Sequence, residues 1–516
     1  MHRRKLPIGI QTFAKIREDD YYYVDKTDFI RQLIAEGGQY FLSRPRRFGK
    51  SLLLDTLGEL FVGHEALFRG LAIHPHWDWN THFPVIRFSF GGGMVRDPGE
   101  LERRIMDLLH RNQHALGLTC RNDTDVVSRF VELIEQAHAA TGQRVVVLVD
   151  EYDKPILDNI TRPEIARAMR DGLRNLYSVI KDNDAHLRFV FLTGVSKFSK
   201  VSLFSGLNNL KDLTIDARYS ALCGYTEVDV DTVFAPELPG LDRDEIRRWY
   251  NGYNWMGEAV YNPFDLLLLF DAREFRTWWF ETGTPTFLVD LLTERGFFTP
   301  KLAGLRADEA LLSAFDVDHL ATEALLWQTG YLTFTGSRRL GARLEYTLGY
   351  PNLEVESALN DSLAKALIGE PGRASELASG LYDVLMSGDF AALQAHLASL
   401  FAALPHQWHD GHPLARYEGF YASVFYSHLA ALGLDLTAED ATSLARIDLT
   451  LKFNGQIWLF EFKVVASEPT GQALRQLKER GYADKYRALG QPIHLIGIEF
   501  SPAQRTLVGF EVETLR

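Results

Sequence analysis

The tetrapeptide Phe48-Gly49-Lys50-Ser51 joins a short apolar run, Tyr40-Phe41-Leu42, to a helical segment beginning at Leu52. Strand, loop and helix in that order make a phosphate site, because the first N–H groups of a helix lack intrahelical partners. Lys50 then reaches the β- and γ-phosphates of ATP, and the Ser51 hydroxyl is placed for Mg²⁺. A second run, Val145-Val146-Val147-Leu148-Val149, has the composition of a strand buried on both faces of a parallel sheet, and it ends in Asp150-Glu151. Asp150 would hold the Mg²⁺, and Glu151 would be the base that orients the attacking water. A third run, Leu187 to Leu192, ends at Thr193-Gly194, making Thr193 either a polar sensor of the γ-phosphate or a strand-end cap. The usual motif starts with glycine six positions before the lysine, whereas here Arg44 is followed by Pro45, Arg46 and Arg47. The loop is therefore stiff and basic, and its arginines are candidates for phosphate contacts or for another partner. A Gly-Lys-Ser alone also opens ordinary helices; the preceding strand and the acidic strand end favour the nucleotide reading. No arginine finger stands out, Arg218 being one candidate among many.

A second constellation lies near the other end. Arg446 to Phe453 and Gln456 to Val465 read as strands joined by Asn454-Gly455, a two-residue hairpin turn. Alternation puts Glu461 and Lys463 on one face and Phe460, Phe462 and Val464 on the other. Charged groups on a face that also needs covering are costly unless they bind something. With Asp448 across the hairpin, Asp448 and Glu461 would hold Mg²⁺ or Mn²⁺, while Lys463 orients or activates water and steadies a phosphate. Glu418 on the preceding helix could complete the site, and Gln476 on the following one could touch substrate. The alternative is a solvated hairpin face with a Glu–Lys pair.

These groups need scaffolds. Tyr21 to Val24 reads as a strand, then a helix with Asp25 as cap runs through Ile34 to Gly37-Gly38. Phe83 to Phe90 is a further strand, and about 98 to 140 is helical. Strands alternating with helices predict a doubly wound α/β domain over 1–220. Residues 221–372 read as a mostly helical middle region, with Thr226 and Asp229 as a capping-box variant. Near its end, a helix at Leu325-Leu326-Trp327 followed by a hairpin could form a small winged-helix element, pointing to transcriptional control. Its Arg338, Arg339 and Arg343 read more simply as a solvated basic hairpin. Residues 373–516 make a C-terminal α/β domain: an alanine-rich helical stretch, a linker from Leu404 to Pro413, a helix over 414–432, the hairpin, another helix, and a strand from His494 to Phe500.

The chain has 516 residues, 46% of them hydrophobic, and a formal charge of −13. That length suggests about three domains. The acidic balance argues against a surface coated for nonspecific nucleic-acid binding and leaves room for a local basic groove. Cys120 and Cys223 lack CxxC partners, which disfavours zinc and fits a reducing cytosol. The N-terminal MHRRKLPIGIQTF lacks the apolar core of a signal peptide. The longest plain apolar run, Leu266 to Phe270, is far short of the roughly 20 residues of a membrane span. A cytoplasmic protein without a membrane partner is expected.

Several longer strings speak together: Leu6-Pro7-Ile8-Gly9, Tyr22-Tyr23-Val24-Asp25-Lys26-Thr27, Arg44 to Ser51, Val149-Asp150-Glu151-Tyr152-Asp153-Lys154-Pro155, Thr193-Gly194-Val195-Ser196, Cys223-Gly224-Tyr225-Thr226, Trp249-Tyr250-Asn251-Gly252-Tyr253 and Tyr261-Asn262-Pro263. Through nearly its whole length the chain resembles the bacterial and archaeal AAA-ATPase-like proteins that carry a C-terminal PD-(D/E)xK nuclease domain. The resemblance makes Arg44 usual rather than a defect. It implies a P-loop NTPase core, a helical middle and a restriction-endonuclease-like tail. Asp448 (in Arg446-Ile447-Asp448), Glu461 and Lys463 match the nuclease core, and Glu418 in Tyr417-Glu418-Gly419-Phe420-Tyr421 matches its helical carboxylate. The expected activity is an ATPase that gates or drives a metal-dependent nuclease acting on DNA or RNA, in defence or mobile-element control. A homo-oligomer is also in view, since many ATPases complete their site with a neighbour's arginine. The other reading is an ATP-controlled switch or scaffold, ordered by the γ-phosphate, whose tail binds nucleic acid or a partner without cleaving. The intact nuclease set argues against that reading, and the acidic charge mildly for it.

Overall fold

The computed structural model describes residues 3–122, 125–197, 209–281, 286–295, 297–313, 315–316, 319–404, 418–441, 446–504 and 506–515. The chain divides into two compact units, Met1–Trp279 with Arg306–Asn352 and Phe280–Leu305 with Leu353–Arg516. Among the described residues no helix is long and apolar enough to cross a membrane.

The first unit is built on five parallel strands, β1 (Gln39–Ser43), β2 (Val85–Ser89), β3 (Val145–Asp150), β4 (Leu187–Gly194) and β5 (Leu210–Asp212), in the order β2-β3-β4-β1-β5. Every residue of β1 and the five apolar residues of β3 are buried, as an unbroken apolar run in a sheet covered on both faces should be. The helical stretch after β2 is two helices, Pro98–Ala115 and Val126–Thr141. Asp97 and Asp125 each accept a first-turn N–H, so each helix has its own start. Tyr21 to Val24 forms no strand. It pairs only through an isolated Lys5–Tyr21 bridge, and Tyr22 and Val24 pack against Phe234, Tyr250, Leu266 and Phe270. The Thr226–Asp229 capping box is present in both directions.

The remaining strands of this region are β6 (Leu305–Asp308), β7 (Phe315–Asp316), β8 (His319–Leu320), β9 (Thr333–Leu340) and β10 (Arg343–Gly349). Helices Glu309–Ser313 and Thr322–Thr329 separate β6 from the β9–β10 hairpin, and the sheet order is β6-β10-β9. With the β7–β8 ribbon between the two helices, the order is strand, helix, ribbon, helix, hairpin, so the expected helix-then-hairpin is present with an added ribbon before it.

The second unit holds a mixed sheet of β11 (Asp435–Ala441), β12 (Arg446–Phe453), β13 (Gln456–Val464), β14 (Ile493–Ser501) and β15 (Thr506–Leu515), in sequential order. Only β13 and β14 run parallel, joined through helix Gln472–Glu479. Asn454 (φ 49°) and Gly455 (φ 71°) make the β12–β13 turn, both left-handed as a two-residue hairpin requires. Trp458, Phe460 and Phe462 pack on one face with side chains of helices Pro371–Ser387, Phe390–Ala402 and Glu418–Ala430. Ile457 and Leu459 pack on the other, under Leu477, Tyr482 and Tyr486. The expected linker from Leu404 onward lies, beyond Leu404, outside the described residues.

Inside that helical layer His428 is 1% exposed and stacks on His396, ring centroids 5.8 Å apart. Burial, with His396 adding to it, pushes the His428 imidazole down to about 4. A folded-state value below the unfolded one gives stability that is present above the ordinary histidine range and lost as pH falls through the folded value. Between pH 7.5 and about pH 5 this group alone should cost about 2 kcal/mol. In urea unfolding at the two pH values, His428→Phe is expected to lose correspondingly less stability on acidification than wild type; an equal loss would assign the acid sensitivity elsewhere.

Candidate functional site

Three elements of the parallel sheet deliver their ends to one edge, the carboxyl side where open α/β sheets bind ligands. The loop after β1 turns into helix Lys50–Val62 with positive φ at Arg47 (67°) and Gly49 (88°). Left-handed residues interspersed in such a loop turn N–H groups inward, the backbone concavity that holds anions. The space where a Gly49 side chain would stand is open, with nothing within 4 Å of its Cβ position.

Lys50 is buried and donates to the carbonyls of Arg44 (2.9 Å) and Pro45 (2.8 Å), so it arches back over its own loop. Burial pushes its ammonium below the ordinary lysine range, with Asp150 and Glu151 opposing. Ser51 donates its hydroxyl to Asp150 Oδ2 at 2.6 Å, and Thr193 donates to Asp150 Oδ1 at 2.8 Å. Helix start, β3 end and β4 end therefore meet at one carboxylate. Glu151 sits beside it in a left-handed conformation (φ 52°), its Oε2 against Gly91, where a Cβ would lie 3.1 Å away. Burial, then the charge of Asp150, raises the Glu151 carboxyl above the ordinary range.

The arginines divide. Arg44 is fully buried, donating to the carbonyls of Ser43 (2.8 Å), Thr214 (2.9 Å) and Tyr219 (3.1 Å), with its guanidinium 3.9 Å over the Trp255 ring. Its fork is thus engaged by the protein rather than turned to the loop's opening. Arg46 and Arg47 are exposed; Arg47 lies 3.8 Å over Phe264, and the Arg46 carbonyl accepts from Trp279 Nε1 at 3.3 Å. Phe48 is wedged edge-on between Tyr253 and Trp255, and Pro45 lies against Gly330, where a Cβ would come within 2.6 Å of the proline ring. The loop's stiffness is therefore enforced from residues far along the chain.

Asp153 has a different role from its acidic neighbours. It is fully buried and accepts from the Val195 and Ser196 N–H groups and from the Ser196 hydroxyl (2.5 Å). Tyr152 donates to the Ser196 carbonyl at 2.9 Å. A Cβ on Gly194 would stand 2.5 Å from the Tyr152 ring. In the sequence nothing local marks Asp153, Tyr152 or Ser196 beyond their place in Val149–Pro155 and Thr193–Ser196.

In the second unit, the β12–β13 register pairs Leu449 with Phe460, placing Asp448 one step beyond, beside Glu461. Asp448 Oδ2 accepts the Phe462 N–H at 2.8 Å, so the carboxylate stands in for a rung of the ladder. Glu461 is 1% exposed; Lys463 Nζ lies 3.2 Å from its Oε1, which also accepts from Gln476. Asp448, Glu461, Lys463 and Gln476 are brought together. Glu418 opens its helix, but its side chain lies outside the described residues. Among the described residues no three His, Cys, Asp or Glu side chains cluster around one cation position. The donor set of two carboxylates on adjacent strands is nevertheless hard-oxygen chemistry that suits Mg²⁺ or Mn²⁺.

Residues 7–204 match the family model described as "Predicted AAA-ATPase", and residues 416–510 match that of the "PD-(D/E)XK nuclease superfamily". The chain is similar over its full length, and over the full length of the relative, to a protein of Azotobacter chroococcum mcd 1 named "Uncharacterized protein in vnfD 5'region", with 67% identity over 516 residues. With a Lys50 loop at the end of a parallel sheet in one unit and an Asp-Glu-Lys hairpin in the other, the chain belongs to the family of AAA-ATPase-like proteins bearing a C-terminal PD-(D/E)XK nuclease superfamily domain.

Proposed function

We infer that this cytoplasmic protein binds and hydrolyses ATP at the Lys50 loop, and that ATP controls nucleic-acid cleavage by the C-terminal domain. The observation that carries the first half is the pair of hydroxyls, Ser51 and Thr193, donated from separate elements to Asp150. Ser51 and Asp150 would hold Mg²⁺, the loop from Arg44 to Ser51 would cradle the phosphates with Lys50 as its cation, and Glu151 would accept the proton of the attacking water. Arg44 and Pro45 serve that cradle by holding the loop's shape, Phe48 by anchoring it, and Arg46 and Arg47 remain exposed at its rim.

For cleavage, Asp448 and Glu461 would hold a divalent cation, Glu418 would complete the site, and Lys463 would orient water or steady the scissile phosphate. A bound cation supplies Lewis acidity at the phosphoryl oxygen. Domain pairing of this kind suits defence or mobile-element control. A homo-oligomer, with an arginine supplied by a neighbour, is part of the same reading.

Plasmid and RNA cleavage with Mg²⁺ or Mn²⁺, with and without ATP, tests the proposal on wild type, Lys50→Ala and Asp448→Ala. Cleavage lost in Asp448→Ala and altered by ATP only when Lys50 is present is the expected pattern. ATP hydrolysis without cleavage in any lane would favour the second reading, a nucleotide-controlled switch whose tail binds nucleic acid or a partner. That reading draws on the engagement of Glu461 with Lys463 and Gln476.

A further inference from the structure

The β9–β10 hairpin is a ribbon whose distal half stands clear of its own unit: residues 335 to 344 are all exposed. Cross-strand partners share a face of such a ribbon. Arg343 pairs with Leu340 and Glu345 with Arg338, while Leu344 pairs with Arg339. Each face thus carries a leucine and at least one arginine near the tip. Leu340 is 47% and Leu344 37% exposed, so both apolar side chains are available at the tip. At the base of the ribbon Glu345 is shared by Arg338 (2.6 Å) and Arg306 (3.7 Å), which leaves the tip arginine-rich. In a chain of formal charge −13 this basic charge has been placed on a protrusion. The preceding helix cannot do the binding, since Thr322 and residues 324–328 are all buried.

We propose that this hairpin is a contact site for duplex DNA, its ribbon entering the major groove. A B-form major groove admits a two-stranded β-ribbon and has phosphates on both walls. Arginines on both faces match two walls, and the leucines meet the base edges, where thymine methyl groups are apolar. The A-form groove of duplex RNA is too narrow and deep for this. The inference rests on the nucleic-acid reading for the class of ligand only, and it adds a binding element that belongs to the ATPase-bearing unit.

The test uses the full-length chain carrying Lys463→Ala, without divalent cation, so that cleavage does not interfere. Fluorescence anisotropy would follow binding of a mixed-sequence DNA duplex of about 30 bp over a salt series, with an RNA duplex of the same sequence beside it. Adding Arg339→Gln and Arg343→Gln together is expected to weaken DNA binding about tenfold or more at 0.1 M salt and to reduce the salt slope by about 2. Both residues are exposed, and an unchanged melting temperature and ATP affinity would verify that the variant is folded; Arg339→Glu is the second variant, expected to lose at least as much. Unchanged DNA affinity in both variants would overturn the hairpin's role while leaving the cleavage reading standing. Equal losses on duplex RNA would overturn the groove placement. If the parent chain binds no duplex at all the inference falls, and the cleavage assay decides the function separately.

Discussion

Glu151→Gln is expected to bind ATP with near wild-type affinity and to turn it over about 10²–10⁴ times more slowly, the range lost with a general base. In the proposed function phosphate binding rests on Lys50, Ser51 and the loop N–H groups, and Lys50 and Ser51 bond to Arg44, Pro45 and Asp150 rather than through Glu151. Steady-state phosphate release gives the rate, and filter retention of labelled ATP gives the affinity. Loss of binding together with rate would move Glu151 from proton acceptor to structural support. The same substitution should raise the melting temperature of the nucleotide-free protein. The folded-state value of Glu151 is raised by burial and by Asp150, so its contribution to stability is fully present below the ordinary carboxylate range and is lost as pH rises through the raised folded value. Above that value the charged side chain is a net cost, which the neutral amide removes.

Arg44→Leu should have the largest effect on stability, about 3–5 kcal/mol. Leucine fills part of the volume but leaves the carbonyls of Ser43, Thr214 and Tyr219 without their donor and loses the stacking on Trp255. Burial lowers the guanidinium only to about 10, so it remains charged at neutral pH and its bonds are charge-assisted. Arg44→Lys should recover little, because an ammonium cannot fork to Thr214 and Tyr219 while keeping a planar face on the indole. Urea unfolding checks both variants. A loss under about 1 kcal/mol for Arg44→Leu would mean that water replaces the guanidinium and that the site is less closed than its burial indicates.

What the sequence disclosed follows from how local each signal is. β1, β3 and β4 announced themselves as apolar runs because both of their faces are covered, and Asn454-Gly455 fixed its hairpin because few other dipeptides accept two left-handed residues. β5, only three residues long and of mixed burial, has no pattern of its own and exists by pairing with β1. Edge strands β11 and β15 do alternate, in Asp435-Leu436-Thr437-Ala438-Glu439 and Phe510-Glu511-Val512-Glu513, but the alternation is short and half-exposed, and neither strand is among those expected from the sequence. Tyr21 to Val24 looked like a strand because aromatic and β-branched residues favour strands; here they are simply anchors. At the site, Ser51 and Asp150 could be named from motif and strand end. The engagement of Arg44 could not, because two of its three partners lie 170 and 175 residues away and all are backbone carbonyls, which leave no trace in side-chain identity.

The contact between Pro45 and Gly330 carries an evolutionary consequence. Gly330 holds φ 92° as well as touching the proline ring, so any side chain there meets two obstacles at once. Pro45 meets only one of them and can shrink to alanine without disturbing its partner's backbone, but the Cβ that alanine keeps would still stand 2.7 Å from a side chain at 330. Drift between relatives should therefore be one-sided: lineages can lose the proline and keep the glycine, whereas loss of the proline does not by itself free position 330 to change.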